Sequence, residues 1–236
     1  MLPFLAKHSR SSCSVGLRCD GVFNVRQRQL SSSRSDESDS SNAKEKVAGY
    51  KRSMNLPALE EYENPSNRDD QVFSAISEDG SVKVTACTAR NLVNDLMIMH
   101  SMTAIPADAI GKTVVCALLM SNGMQSQQTV QITFNTDGPI RGVVAISDGE
   151  GNVRGYVGTP MLGGDIELPE AVGKGMVQVV KNHPDWPNPY NGITSVRYGD
   201  VDRDMGVYLA ESEQRSCALA AATSIKGILC AAAGGY

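Results

Sequence analysis

The spacing of apolar positions changes character several times along the chain, and each change predicts an element. Gln71 to Ser77 carries Val72, Phe73, Ala75 and Ile76 in a strand-like run. Glu78-Asp79-Gly80 is a turn, and Val82 and Val84 continue the alternation to Cys87. Two such runs around a short turn predict a β-hairpin. From Arg90 to Ser101 the period becomes helical, with Leu92, Val93, Leu96, Met97 and Met99 on one stripe. Thr103 or Pro106 opens a second helix, with Ala109, Ile110, Val114, Cys116, Ala117, Leu118 and Met120 inward and Gly123 as its stop. Thr129–Thr136 alternates again. With Ile140–Ser147 and Val153–Val157, it predicts a three-stranded meander turned at Asp137-Gly138-Pro139 and at 148–152.

Beyond the meander, Leu162 to Gly175 reads as a Gly/Pro-rich loop. Met176–Val180 reads as a strand, His183–Asn191 as a proline-laden turn, and Ile193–Tyr198 as another strand. Asp200 or Asp202 is placed to cap a helix through Leu209, and a last helix is expected from about Ser216 to Ala233. Strands and helices are grouped rather than strictly alternating. The expected fold class is therefore α+β, a mostly antiparallel twisted sheet with flanking helices.

Composition narrows this picture. The 236 residues suffice for one sizeable core; 41% are hydrophobic, 20% charged and 5% aromatic, and glycine numbers 22. A net charge of −4 lacks the basic excess of a nucleic-acid binder. No run of 18 purely apolar residues exists, so no membrane span is expected.

Residues 1–50 stand apart. Before Asp36 six basic residues face the single acid Asp20, and serine is dense. Such a basic, serine-rich, acid-poor segment has the composition of an organellar transit peptide without fold of its own. Serine density leans toward the plastid, with the mitochondrion as the alternative. This segment holds 8 of 22 basic and 5 of 26 acidic residues, which leaves 14 basic and 21 acidic residues, a net −7, on the rest. Residues 51–68 are polar with Pro57 and Pro65 and read as a linker. The folded domain is expected over 69–236.

Candidate chemistry is sparse. Cys87, Cys116, Cys217 and Cys230 are scattered without a CxxC, CxC or Cys/His cluster at zinc spacing, and read as small buried hydrophobes. His100 ends a helical pattern, where it suits the helix C-terminus. The glycines of 149–155 join two strands rather than a strand and a helix, so the phosphate-loop mechanism does not apply. Asp200, Asp202 and Asp204 have the spacing of the start of a calcium loop. The expected glycine and distant glutamate are missing, and helix capping is preferred. Met97, Met99, Met102, Met120 and Met124 cluster over the first helix pair, as core filler or as a soft apolar binding surface.

Three segments then agree with one family in order and spacing. They are Gly138-Pro-Ile-Arg-Gly-Val-Val-Ala through Asp148-Gly-Glu-Gly-Asn-Val-Arg-Gly-Tyr156; Gly173-Lys-Gly-Met-Val-Gln-Val-Val with Pro189-Tyr-Asn-Gly-Ile193; and Gly199-Asp-Val-Asp-Arg-Asp-Met-Gly-Val-Tyr-Leu-Ala-Glu-Ser-Glu-Gln214. Over about 69–236 the chain resembles the heat shock protein 33 family of redox-regulated holdase chaperones, with Tyr208, Ser212, Glu213 and Gln214 as its signature. The resemblance implies an N-terminal client-binding and dimerisation domain. It also implies ATP-independent binding of unfolded proteins under oxidative or heat stress, a possible homodimer, and no enzymatic activity. It further implies a C-terminal zinc domain whose four cysteines, CxC…CxxC, act as the redox switch. That arrangement does not occur after Ser212-Glu213-Gln214, where Cys217 and Cys230 stand thirteen residues apart. No zinc ligand or other cofactor is therefore expected in this chain, which is either a fragment or a form without the zinc switch. From the residues themselves two further readings stay open. One is a small-molecule enzyme using Glu211, Glu213 and His183. The other is a local role in which Ser212 caps the last helix and Glu213 complements its dipole.

Overall fold

One helix is apolar nearly all the way round, and the fold covers it from two sides. In the computed structural model, which describes residues 17–24, 26–27, 70–214, 216–226 and 229–235, this helix is α2 (Ala104–Ser121), with 14 of its 18 residues buried. α2 is long and apolar enough to cross a membrane by length and composition alone, but most of it is buried inside the protein. A helix without a polar face must be enclosed, and two sheets enclose it. The sequence-defined linker 51–68 lies outside the described residues.

The first sheet has the order β1 (Leu17–Asn24), β3 (Gln71–Ser77), β4 (Lys83–Thr88), β11 (Leu229–Gly235), β10 (Ala220–Lys226). The second has the order β2 (Arg26–Gln27), β7 (Asn152–Val157), β6 (Val143–Asp148), β5 (Thr129–Thr136), β8 (Gly175–Asn182), β9 (Tyr190–Ser195). All neighbours are antiparallel except the short parallel pair β2–β7. The second sheet sends Val130, Ile132, Phe134, Val143, Ala145, Val177 and Val179 into the core shared with Ile110, Val114, Leu118 and Leu119 of α2. The expected α+β class stands.

Local chemistry explains most boundaries. Asp79 in the β3–β4 turn accepts hydrogen bonds from the Ser77 hydroxyl (2.6 Å) and the Ser81 amide (3.1 Å). Those bonds hold its carboxyl down to about 2. Helix α1 (Arg90–Met99) begins without a cap from Ala89. Asp70 supplies it instead, accepting from the amides of Leu92 (2.7 Å) and Asn91 (3.2 Å). His100 is the C-terminal cap residue of α1, as its position in the pattern suggested. The methionines divide between the two readings: Met97, Met102 and Met120 are core, while Met99 is exposed.

Several expectations need correction. The run 216–233 is not a helix but the β10–β11 hairpin, with Ala222 opposite Ala233 and Ser224 opposite Ala231. Alanine favours helix, but tertiary pairing overrides a weak propensity. Here β11 is bound on its other side by β4 (Thr88 opposite Ala233), and small residues let β10 lie close on α2. A Cβ at Gly111 of α2 would stand 2.7 Å from the Thr223 methyl. The loop 162–175 contains a one-turn helix, α3 (Leu168–Val172), started by Pro169. Strand β6 starts at Val143 rather than Ile140 because Arg141 and Gly142 take positive φ (57° and 100°). Strand β9 ends at Ser195 because Asp204 draws the amides of Arg197 (2.8 Å) and Tyr198 (3.0 Å) away from a ladder. Part of the expected address segment is in strands, β1 and β2.

A charge cluster ties the hairpin to the helices. Asp200 sits at the N-terminal cap position of α4 (Val201–Glu211) but makes no side-chain cap there. Instead it pairs with Lys112 of α2 at 2.7 Å, with Asp202 at 3.6 Å from the same ammonium. Asp108, one turn before Lys112, accepts from Thr223 of β10, and Asp202 from the Ala221 amide (3.5 Å). Burial works against all these charges. Lys112 is held above its usual pKa by the Asp200 hydrogen bond and the neighbouring carboxylates. Burial raises Asp108, and burial together with Asp200 raises Asp202.

Replacing Lys112 by Met leaves these carboxylates without their cation and should cost about 2–3 kcal/mol at pH 7. Carboxyls with raised folded-state pKa bind protons more readily when folded, so their destabilisation grows as pH rises through that pKa and fades as pH falls. Urea titrations of both proteins should show the gap between Lys112→Met and parent narrowing from pH 7 to pH 5. A gap that widens would refute the assignment.

Candidate functional site

The four signature residues gather where the end of α4 meets the β8–β9 hairpin. Tyr208 is fully buried and its ring lies against Gly192 of β9. A Cβ at Gly192 would stand 2.7 Å from the Tyr208 oxygen and 2.8 Å from Cε2, so the approach requires glycine. The Tyr208 hydroxyl donates to Glu213 Oε1 at 3.2 Å, and the same oxygen pairs with Lys181 of β8. The Lys181 ammonium also stands 5.7 Å from the centre of the Tyr190 ring. Tyr190 in turn donates to the Ser212 carbonyl (3.3 Å), and the hydroxyls of Ser212 and Thr194 lie 3.2 Å apart. Gln214 follows at a left-handed φ of 52° and turns the chain away.

Burial, with the Glu213 charge and Tyr190 beside it, pushes the Tyr208 phenol well above its ordinary pKa. Tyr208 thus remains a neutral donor across the physiological range. The group clamps a helix end to a hairpin: one anion, one cation and one neutral phenol satisfy one another. The capping role expected for Ser212 is corrected. Ser212 ends α4, its amide bonded to the Tyr208 carbonyl at 2.8 Å, and the segment after it leads into β10 rather than a helix. Glu213 accordingly serves Lys181 instead of a helix dipole.

The residues of the enzymatic alternative are each engaged with a different partner. Glu211 pairs with Arg197 at 2.5 Å on the exposed side. His183 lies 3.6 Å from Asp185 and 6.0 Å, ring to ring, from Trp186. Glu213 belongs to the clamp. The cysteines with described side chains do not fit a zinc site either. Cys87 and Cys116 are buried in the core, and burial pushes the Cys116 thiol far above the range where a thiolate forms. Cys217 is exposed, far from any CxxC spacing.

A surface that periodicity did not single out is the outer face of the second sheet. The inner face of β5–β7 packs on α2. On the other face, register places Ile193, Gln178, Thr133, Val144 and Tyr156 in one cross-strand row. Val180 and Ile146 lie in the next row and Met176 flanks the first. Ile193, Tyr156 and Met176 are 48%, 56% and 51% exposed. Arg154 and Asp148 are the only charged residues at the outward positions of β5 to β9. The sequence signal for this face is the lack of polar interruption in Val143-Val144-Ala145-Ile146 and Val179-Val180, where strict alternation would place polar residues.

Truncating Glu213 to Ala removes the acceptor that Lys181 and Tyr208 share and should cost about 2 kcal/mol, whereas Tyr208→Phe should cost about 1 kcal/mol. Urea midpoints with unchanged slopes would check this. Equal or negligible losses would mean that the clamp does not hold α4 in place.

Comparison with known proteins agrees with the resemblance in the sequence. The family model described as Hsp33 protein matches residues 70–236. A 33 kDa chaperonin of Clostridioides difficile is 31% identical over 175 residues, covering 71% of this chain and 60% of that protein. One from Citrifermentans bemidjiense is 30% identical, covering 71% and 59%. The crystal structure of the 33 kDa chaperonin from Thermotoga maritima aligns with a TM-score of 0.64 at 22% identity, over 70% of this chain and 59% of that one, and shows a shared fold. The chain spans 50% to 60% of the length of the curated relatives it matches here. Over its described core, from before β3 through β11, this chain belongs to the Hsp33 protein family.

Proposed function

We propose that the chain acts as an ATP-independent holdase, binding unfolded proteins under oxidative or heat stress and keeping them from aggregating. The observation that carries this reading is the outer face of the second sheet, broad, largely uncharged and studded with Ile193, Tyr156 and Met176. Exposed apolar side chains set among uncharged polar ones such as Gln131, Thr133 and Gln178 suit an unfolded chain, which offers both apolar side chains and bare backbone, and the family resemblance supports that reading. The clamp around Glu213 supports it from beneath by fixing the β8–β9 hairpin that supplies Ile193 and Met176. No catalytic residue and no cofactor form part of this proposal, and the redox switch of the wider family is assigned to no residue here. Homodimerisation, also implied by the family, belongs to the same proposal.

Purified protein should lower light scattering from a thermally unfolding client in proportion to the amount added. Tyr156→Lys with Ile193→Lys should weaken that suppression, while stability stays within about 0.5 kcal/mol per exposed site. Absence of suppression under both reducing and oxidising conditions would overturn the holdase reading. We further propose the basic, serine-rich segment 1–50 as a plastid-directing address. A fluorescent protein fused behind it should accumulate in plastids; accumulation in mitochondria would assign the other organelle, and a diffuse signal would refute the address.

A further inference from the structure

Two sheet edges in this molecule are covered by a single stretch of its own N-terminal chain. β1 runs antiparallel to β3, from Leu17 opposite Ser77 to Asn24 opposite Gln71. After the one intervening residue, β2 runs parallel to β7, with Arg26 opposite Asn152 and Gln27 opposite Val153. β3 belongs to the first sheet and β7 to the second. The register therefore brings the two edges within reach of two residues of extended chain, about 7 Å. Without residues 17–27, β3 would have only β4 beside it and β7 only β6, leaving two rows of unpaired amides and carbonyls. Side chains on this side of the first sheet are also apolar: Phe73, which stands opposite Val22, and Val84 are more than 40% exposed.

We propose that the joined edges of β3 and β7 form one binding site for an extended polypeptide, occupied in cis by residues 17–27. Displacing that segment opens the site to an unfolded client by strand addition. The inference deepens the holdase reading and rests on it for the nature of the client. Strand addition suits such a client because main-chain hydrogen bonds supply affinity without demanding a particular sequence. Leu17-Arg-Cys-Asp-Gly-Val-Phe-Asn-Val-Arg-Gln27, with scattered apolar residues and low net charge, resembles what it would exclude. On the plastid reading, removal of the address on import would vacate both edges at once, so the client site would open only at the destination.

The test uses the full chain carrying Val22→Pro with Phe23→Pro. Consecutive residues of an antiparallel strand direct their amides to opposite sides, so one of the two prolines removes a bond to β3. Amides of Gln71–Ser77 and Asn152–Val157 should exchange about tenfold faster or more in the variant, as local opening becomes easier. A fluorescent peptide with the sequence of residues 17–28 should bind the variant saturably and the parent far more weakly. Reduced, carboxymethylated α-lactalbumin, a permanently unfolded chain, should displace it. Unchanged exchange would overturn the pairing, and failure of the unfolded protein to displace the peptide would overturn the site. A concentration-dependent dimer of the parent that the variant lacks would show the segment pairing with a second copy, and would overturn occupancy in cis. Loss of aggregation suppression in parent and variant alike defeats the holdase reading instead, and the exchange and displacement results do not depend on it.

Discussion

A helix with only a narrow polar stripe, Asp108 and Lys112, must be covered on nearly every side, and that constraint organises the rest of this protein. α2 buries 14 of its 18 residues, on most of its circumference, so one sheet is not enough. The second sheet covers it through β5 to β7, and the hairpin β10–β11 with β4 covers it from the other side. Each cover needs an anchor that tolerates proximity. Gly155 of β7, where a Cβ would meet Ile110 of α2 at 2.8 Å, serves on one side, and Gly111 beneath Thr223 on the other. Polar ties then fix the layers at the rim. Asn122, just past the end of α2, donates to Ser74 and Thr85 of the first sheet, and Lys112 gathers the start of α4.

With the core satisfied internally, the outer face of the second sheet can carry exposed Ile193, Tyr156 and Met176 without serving the fold. The clamp at the end of α4 belongs to the same division of labour. Its members neutralise one another in a dry environment, where a half-satisfied network would be costly. The clamp also fixes the position of the β8–β9 hairpin, whose far side faces out.

Much of this was legible in the residues. The β3–β4 hairpin, α1, α2 and the meander β5–β7 follow from periodicity and from turn chemistry at Asp79 and Asp148, because each is set by neighbours along the chain. The grouping of Tyr208, Ser212, Glu213 and Gln214 was visible as a motif, but its partners were not. Lys181, Tyr190 and Gly192 come from a hairpin whose nearness to α4 is a tertiary fact. The 216–233 segment misled for a related reason. Its alanines carry a helical preference, and what makes them strands is the open edge of β4, far earlier in the chain. The boundary of β9 shifted because a distant carboxylate, Asp204, competed for its amides.

The insertion of β11 between β4 and β10 also sets the order of assembly. Ala233 must find Thr88, so the pairing closes a loop containing nearly every other described element. Closing so long a loop is entropically slow compared with forming the local hairpins and helices within it. During synthesis, the meander and α2 can come together while the other flank of α2 waits for strands that have not yet left the ribosome. For that interval the nascent chain exposes its most apolar helix and is itself prone to aggregation, until β11 pairs with β4 and closes the cover.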